Sequence, residues 1–235
     1  MDNRIDILYE DENIIVCHKR PGIAVQSASI GSPDMVTELK KYLVSQKNKN
    51  SSARAEEPYI AVIHRLDQPV EGILVFAKDK KSAGILSKQA SGEAAGMEKI
   101  YRAVVYGHIR EKSGKLSDYL LKDGRSNSSS VVSKPQGGKL AELEYEVKEE
   151  NTVDDESDGK TECVDIKLLT GRHHQIRVQL ANAGVPIVGD LKYGSEESVS
   201  YTKENGIRQL CLCAYHLTFR HPADGRKMEF ILDGA

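Results

Sequence analysis

The sequence predicts an α+β protein organised on a large, mostly antiparallel (mixed) sheet with few flanking helices. Two observations lead there. Short β-branched or alternating runs dominate the chain and mostly follow one another, as at 5–9, 14–18, 60–63 and 73–77. Helical periodicity is confined to three stretches, near 35–45, 79–90 and 173–183. Strands that succeed strands, rather than alternating with helices, define the α+β class. The 235 residues carry no long polar linker, which suits one domain over 1–235 or two closely packed lobes. We take the single domain as the expectation.

The elements follow in order. Runs 5–9 and 14–18, split by Asp11-Glu12-Asn13, predict a hairpin or two successive strands, and Pro21-Gly22 then forces a turn. Ser32-Pro33-Asp34 starts a helix over 35–45 with Leu39 and Leu43 on one face. The Lys/Asn/Ser-rich stretch 46–58 reads as a mobile surface loop. Ile60-Ala61-Val62-Ile63 and Ile73-Leu74-Val75-Phe76-Ala77 read as buried strands around the polar loop 64–72. Asp79 or Ser82 caps a helix to about Ala90 with Ile85 and Leu86 inward, ended by Ser91-Gly92 and Gly96. A strand over 99–107 and a short one over 116–121 come next, then an exposed Ser/Gly-rich loop or hairpin tip at 124–138. Runs 140–147 and 163–169 alternate as paired strands around the acidic loop 148–160. Thr170-Gly171-Arg172 leads into a helix over about 173–183, with Ile176, Leu180 and Ala183 on one face and Gly184 as its stop. Runs 210–219 and 228–232 close the fold.

Composition excludes several classes. The N-terminus has no charged and apolar leader, and no apolar run approaches membrane-spanning length, so a soluble, cytoplasmic protein is expected. The four cysteines include no Cys-x-x-Cys pair and read as buried, reduced thiols rather than a metal or disulfide framework. The formal net charge of -2 gives no bulk attraction to a polyanion. Charge is uneven, however: 142–158 is acidic, whereas 78–88 and 172–192 lean basic. These are either ordinary solvated faces or the parts of a local basic face.

The stretch 59–78 carries the chemistry. Asp67 stands where a strand ends, held by a rigid scaffold yet able to reach solvent, as reactive carboxylates often are. Taken alone, an Asp there more often ties down a turn. His64-Arg65-Leu66-Asp67, with Gly72 and the following strand, resembles the signature of the RluA-type pseudouridine synthases. Other blocks agree in order: Asp11-Glu12-Asn13-Ile14-Ile15-Val16 with Lys19-Arg20-Pro21-Gly22; Glu98-Lys99-Ile100-Tyr101-Arg102-Ala103; Leu169-Thr170-Gly171-Arg172-His173-His174-Gln175-Ile176-Arg177 with Gly184, Pro186-Ile187 and Gly189-Asp190; and Ala214-Tyr215-His216-Leu217 with His221-Pro222. The match runs from about Ile5 to Ile231. This chain departs from the pattern at Gln68-Pro69-Val70-Glu71, where the family has Arg-x-Thr-Ser, and at Arg20-Pro21, where Lys-Pro is usual. The first motif begins almost at the N-terminus, so the expectation is a catalytic region without an S4-like RNA-binding domain ahead of it.

The resemblance implies the pseudouridine synthase fold with a central active-site cleft, and an enzyme that isomerises uridine in ribosomal or transfer RNA. Asp67 takes the place of the catalytic aspartate, acting either on the ribose C1′ or through a glycal. Tyr101 matches a tyrosine that stacks on uracil and helps remove its C5 proton, although by itself it would read as a core tyrosine. Arg177 matches the arginine that pairs with the catalytic aspartate; one residue off the apolar stripe, it is expected at the edge of the core, and otherwise as a surface arginine. Arg65 matches a residue that fills the space of a flipped nucleotide, with His64 and Leu66 beside it as substrate contacts. Arg172, His174 and Gln175 stand at a loop-to-helix start suited to phosphate. Successive helical residues point apart, so His173-His174 is a poor metal pair. Isomerisation needs no cofactor or metal, and the expected partner is RNA, met by a monomer. A non-catalytic RNA-binding module would have little use for Asp67, Tyr101 and Arg177 together. A glycosidase using Asp67 and Glu71 lacks sugar-stacking tryptophan, since Trp is absent.

Overall fold

The computed structural model describes residues 2, 4–27, 31–48, 57–94, 96–148 and 160–234. In chain order the elements are β1 (Ile5–Glu10), β2 (Ile14–Lys19), α1 (Met35–Asn48), β3 (Ala61–Val62), β4 (Glu71–Ala77), α2 (Lys80–Ser91), β5 (Glu98–Tyr106), β6 (Ser113–Asp123), β7 (Ser128–Val132), β8 (Lys139–Lys148), β9 (Thr161–Leu168), α3 (Gln175–Asn182), α4 (Glu196–Glu204), β10 (Leu212–Arg220) and β11 (Lys227–Ile231). The chain forms two compact units, Met1–Lys99 with Ala214–Ala235, and Ile100–Cys213.

In the first unit the strand order is β1-β2-β4-β10, with β3 on β4 and β11 on β10. Asp11 closes the first hairpin by accepting the N–H groups of Asn13 and Ile14 at 2.8 and 2.9 Å. Strands β2 and β4 pair antiparallel, Val16 opposite Val75, and the apolar side chains of both are buried on either face. That is why each reads as a continuous apolar run rather than an alternation. Ile14, Val16, Ile73, Val75 and Ala77 meet Leu86 of α2 and Leu217 and Phe219 of β10 in one cluster. Both helices start on an aspartate: Asp34 accepts from Thr37 N at 2.7 Å, and Asp79 from Ser82 N at 2.8 Å. Gly92 ends α2 in the left-handed conformation. Two expectations change here. The strand foreseen over 60–63 contracts to Ala61–Val62, half-buried, because β10 and β3 share one edge of β4. Helix α1 continues to Asn48, so 46–48 are helical, and 49–56 lie outside the described residues.

In the second unit the order is β5-β9-β8-β6-β7. Tyr101, Ala103 and Val105 are buried while Arg102, Val104 and Tyr106 are half-buried, the period-2 signature of a strand with two unlike faces. Antiparallel registers place Tyr101 opposite Ile166 and Tyr145 opposite the same Ile166. The short strand expected at 116–121 is the middle of an eleven-residue strand. The loop expected at 124–138 holds β7 and a turn of 3-10 helix at Lys134–Gln136; serines at 128–130 hide the strand from hydropathy. Helix α4 was not foreseen. Its buried residues are Ser198 and Thr202, so it has no apolar stripe to read, and its one signal is the Ser195 cap ahead of Glu196-Glu197. Most of the acidic loop, 149–159, lies outside the described residues. Cys17 and Cys163 are buried as expected, whereas Cys211 and Cys213 are half-buried.

Candidate active site

The Asp67 loop joins β3 to β4 and is fixed from below by Lys19. This lysine is the last residue of β2 and is 0% exposed. Its Nζ donates to the carbonyls of Val70 at 2.5 Å and Gln68 at 3.0 Å. Burial lowers its pKa to about 8, against the opposing pull of the Asp67 and Glu71 carboxylates. The loop is also tied to the Pro21-Gly22 turn. Gly22 N donates to Gln68 O at 2.9 Å, and Gln68 Nε2 returns a bond to Gly22 O at 3.1 Å. Val70 N bonds Asp67 O at 3.0 Å, closing a turn within the loop. Gly72 ends it at φ +144, where a Cβ would lie 2.5 Å from Ala214 Cβ, so no other residue fits.

Within this frame Arg65 is exposed, Leu66 buried and Asp67 half-buried. Glu71, the departure that adds charge beside Asp67, is matched by His18, whose Nε2 lies 2.7 Å away. That bond holds the Glu71 carboxyl below its usual range. His64, expected to touch substrate, turns inward. Its Nε2 makes a long contact of 3.5 Å with Val75 N, and its Nδ1 is shielded from water with no partner among the described residues. Burial, with Lys99 adding to it, lowers its pKa to about 3, so the ring is neutral.

The second unit holds the other expected residues. Tyr101 lies on β5, 6% exposed. Arg177 is buried rather than at the core's edge, because every residue from Gln175 to Leu180 of α3 is buried. Its Nε and Nη2 donate to the two Asp190 carboxylate oxygens, both at 2.7 Å, and its guanidinium lies 4.9 Å from the centre of the Tyr193 ring. Asp190 follows Gly189, which sits at φ +82 with no room for a Cβ against the Gln209 carbonyl.

His174 stands before α3 in the left-handed conformation, φ 54, so the helix starts two residues later than expected. It is therefore no helical neighbour of His173; the two rings stack with centroids 3.7 Å apart. The Tyr193 hydroxyl accepts from Ser129 N at 2.9 Å and lies 2.6 Å from His174 Nδ1. Burial, then the charges of Arg177 and His173, lower the His174 pKa to about 3, so it stays neutral. Gln175 is buried, accepting from Thr170 Oγ1 and Arg172 N and donating to Glu142 O. Of the three residues expected to meet phosphate, Arg172 is the exposed one; its Nε donates to Leu140 O at 2.8 Å.

Sequence reasoning passed over Lys19, Asp190 and Tyr193 as working residues. For Asp190 a signal existed. An Asp after a Gly starts an Asx turn, and Asp190 Oδ1 accepts from Lys192 N and Tyr193 N.

Residues 13–182 match the model of a family described as RNA pseudouridylate synthase. Among curated proteins the chain is 30% identical over 227 residues to the ribosomal large subunit pseudouridine synthase C of Buchnera aphidicola, covering 96% of this chain and 66% of that one. It is 32% identical over 224 residues to the protein of that name from Escherichia coli K12, covering 94% and 64%. The chain thus spans slightly under two thirds of these relatives' lengths. Among solved structures it resembles human RNA Pseudouridylate Synthase Domain Containing 1, with a TM-score of 0.70, 23% identity and coverage of 97% and 82%. For human RNA Pseudouridylate Synthase Domain Containing 4 the values are 0.71, 21%, 97% and 87%. These structures establish the pseudouridine synthase fold, and the family match extends well beyond half of the chain: it belongs to the RluA-type RNA pseudouridylate synthase family.

Proposed function

We propose that the protein isomerises uridine to pseudouridine in RNA, with ribosomal RNA as the substrate class that the relatives' names favour. The observation that carries this reading is the Asp67 loop. A half-buried carboxylate stands on a loop fixed by a buried ammonium, a reciprocal backbone tie and a glycine that no other residue can replace. Isomerisation breaks the N1–C1′ bond, turns the uracil, joins C5 to C1′ and moves the C5 proton to solvent while N1 gains one. Nothing is oxidised and no group enters, so no cofactor is required.

Asp67 meets the electron-poor sugar, by attack on C1′ or by way of a glycal. Tyr101 stacks on the detached base, and Arg177 supplies the cation that keeps the reacting carboxylate ionised. Exposed Arg65 takes the place of the nucleotide that must leave its stack, and Leu66 fixes the loop from the core. Phosphate contact falls to Arg172, since His174 and Gln175 are buried.

The test uses unmodified ribosomal and transfer RNA transcripts tritiated at uridine C5. Turnover releases tritium, and Asp67→Asn is expected to abolish release while RNA affinity stays within about tenfold, or ~1.4 kcal/mol. Near-normal release by Asp67→Asn would overturn the reading.

A further inference from the structure

Helix α2 carries a surface that the Asp67 chemistry does not use. At about 100° per residue, Ser82, Leu86 and Gln89 fall on one side of the helix and are buried. The opposite arc, roughly 120° wide, holds Ser87, Lys80, Ser91, Gly84, Lys88 and Lys81, all of them exposed. It offers ammonium groups, hydroxyls and a bare backbone position, with no carboxylate and no apolar side chain. Lysines elsewhere are paired: Lys78 with Glu10, Lys41 with Glu38, Lys115 with Glu142 and Lys227 with Glu229. Lys80, Lys81 and Lys88 have no such partner among the described residues. The carboxylates nearest in sequence, Asp79 and Glu93, accept from Ser82 and Ser91 instead.

Two features of the arc work against the helix itself. Lys80 and Lys81 stand in the first turn, at the positive end of the helix dipole, where α1 has Glu38 and α4 has Glu196 and Glu197. Gly84 stands mid-helix, where glycine weakens a helix, although a Cβ there would meet nothing within 4 Å. Neither packing nor capping asks for these residues, whereas an anion drawn close to the arc would use both. The helix is anchored at the end of the sheet away from the Asp67 loop. Asn13 Nδ2 donates to Asp79 Oδ2 at 3.3 Å beside the end of β4, and Gln89 bonds the Arg220 N–H and carbonyl at 2.8 and 2.9 Å at the end of β10. The seven residues of β4 separate the two ends by about 20 Å.

We propose that the Lys80, Lys81 and Lys88 face of α2 is a docking surface for the phosphates of a structured RNA, at a reach of about 20 Å from the target uridine. The proposal rests on the reading that the substrate is RNA. Charge selects this partner: a chain with a net charge of -2 does not draw a polyanion in bulk, so attraction has to come from a local cationic face. Lysines are mobile point charges that neutralise phosphate without reading bases, so the surface adds affinity and no chemistry. An exposed lysine arc also has a simpler role, that of keeping the protein soluble, and the test separates the two.

Wild type, Asp67→Asn, Lys80→Gln/Lys81→Gln/Lys88→Gln and Gly84→Glu are compared on in vitro transcribed large-subunit ribosomal RNA. A control, Lys41→Gln/Lys115→Gln/Lys227→Gln, removes the same charge from paired lysines. Affinity is titrated at several salt concentrations, and single-turnover rates and melting temperature are followed alongside. The α2 triple variant should bind at least tenfold more weakly, and the slope of log affinity against log salt should flatten by about two. Its rate at saturating RNA should stay within about twofold of wild type, and its melting temperature should be equal or higher. Gly84→Glu, which leaves the lysines in place, should weaken binding at least threefold. The control should stay within about threefold. Wild-type affinity and slope in the α2 triple variant, an equal loss in the control, or a loss confined to the saturating rate overturns the proposal alone, provided that wild type turns over and Asp67→Asn does not. An inactive wild type, or full activity in Asp67→Asn, overturns the functional reading and this proposal with it.

Discussion

His64 gives a prediction whose sign and size both follow from its surroundings. The ring is neutral in the folded protein, with a pKa lowered from the usual 6.5 to about 3 by burial. The unfolded chain binds a proton near pH 6.5, so between these values it holds more protons than the folded one. Stability must then fall as pH drops through 6.5, and the loss stops growing below about pH 3. At pH 5 the unfolded histidine is protonated about thirtyfold over, roughly 1.5 pKa units of linkage, or about 2 kcal/mol at ~1.4 kcal/mol per unit. His64→Leu removes this titration. It also removes a shielded Nδ1 that has no partner among the described residues, and such a donor costs about 1–3 kcal/mol. The variant should therefore be no less stable than wild type at pH 7, and its advantage should grow by about 2 kcal/mol on going to pH 5. His174 titrates alike in both proteins and cancels. Urea unfolding followed by far-UV circular dichroism suits a chain without tryptophan. A stability difference that is flat between pH 7 and 5, or that shrinks, would refute the reasoning. Turnover at pH 7 decides the residue's role as well: a loss beyond about thirtyfold in His64→Leu would return His64 to the substrate, while near-normal rates assign it to the fold.

Lys19 gives a linkage of the same sign at alkaline pH. Its pKa is lowered to about 8 from 10.5, so wild type should gain stability relative to Lys19→Met between those values, by up to about 3 kcal/mol; a relative loss on raising the pH would contradict the burial argument. Gly72→Ala places a Cβ 2.5 Å from Ala214 Cβ at φ +144 and should cost roughly 3 kcal/mol, a fall in melting temperature of about 6–12 °C by calorimetry. An unchanged melting temperature would show that the loop end is not fixed. RNA binding should weaken steeply with salt although the net charge is -2, because a local basic face releases counterions; titrations at several ionic strengths that superimpose would remove that face.

Much of the fold was legible because two physical signals are strong in this chain. Strands β2 and β4 carry unbroken apolar runs, Ile14 to Cys17 and Ile73 to Ala77, and that requires burial on both faces. Helices α1 and α2 begin on aspartates whose capping bonds are local in sequence. Where the signal is not apolar, reading failed. Strand β7 is serine at three of its five positions, α4 buries a serine and a threonine, and α3 carries Gln175, Arg177 and Gln179 on faces that a period of 3.6 assigns to water. All three side chains are buried against polar partners: Gln175 on Glu142 O, Arg177 on Asp190, Gln179 on Asp118. Periodicity counts apolar atoms, so a helix packed on hydrogen bonds looks like a surface helix. The motif blocks single out Asp67, Tyr101 and Arg177 as the proposed site residues, but which neighbouring polar groups face inward was not a property of spacing.

The same reasoning explains why each unit keeps a buried ion beside its expected site residue. An ammonium at 0% exposure and a carboxylate at 3% are costly to desolvate, and apolar replacements of similar volume often stabilise a fold. Lys19 spends its donors on the carbonyls that shape the Asp67 loop, and Asp190 spends its oxygens on a turn and on the Arg177 fork. Neither set of bonds can be made by an apolar side chain, and each fixes the direction of a group rather than its depth. Core packing sets depth to a few tenths of an ångström but leaves a terminal carboxylate or guanidinium to rotate about its last bonds. Direction is what the roles proposed for Asp67 and Arg177 require. A buried charge with directed partners is then the expected support for such a group, at a cost in stability that the pH dependence of Lys19 makes measurable.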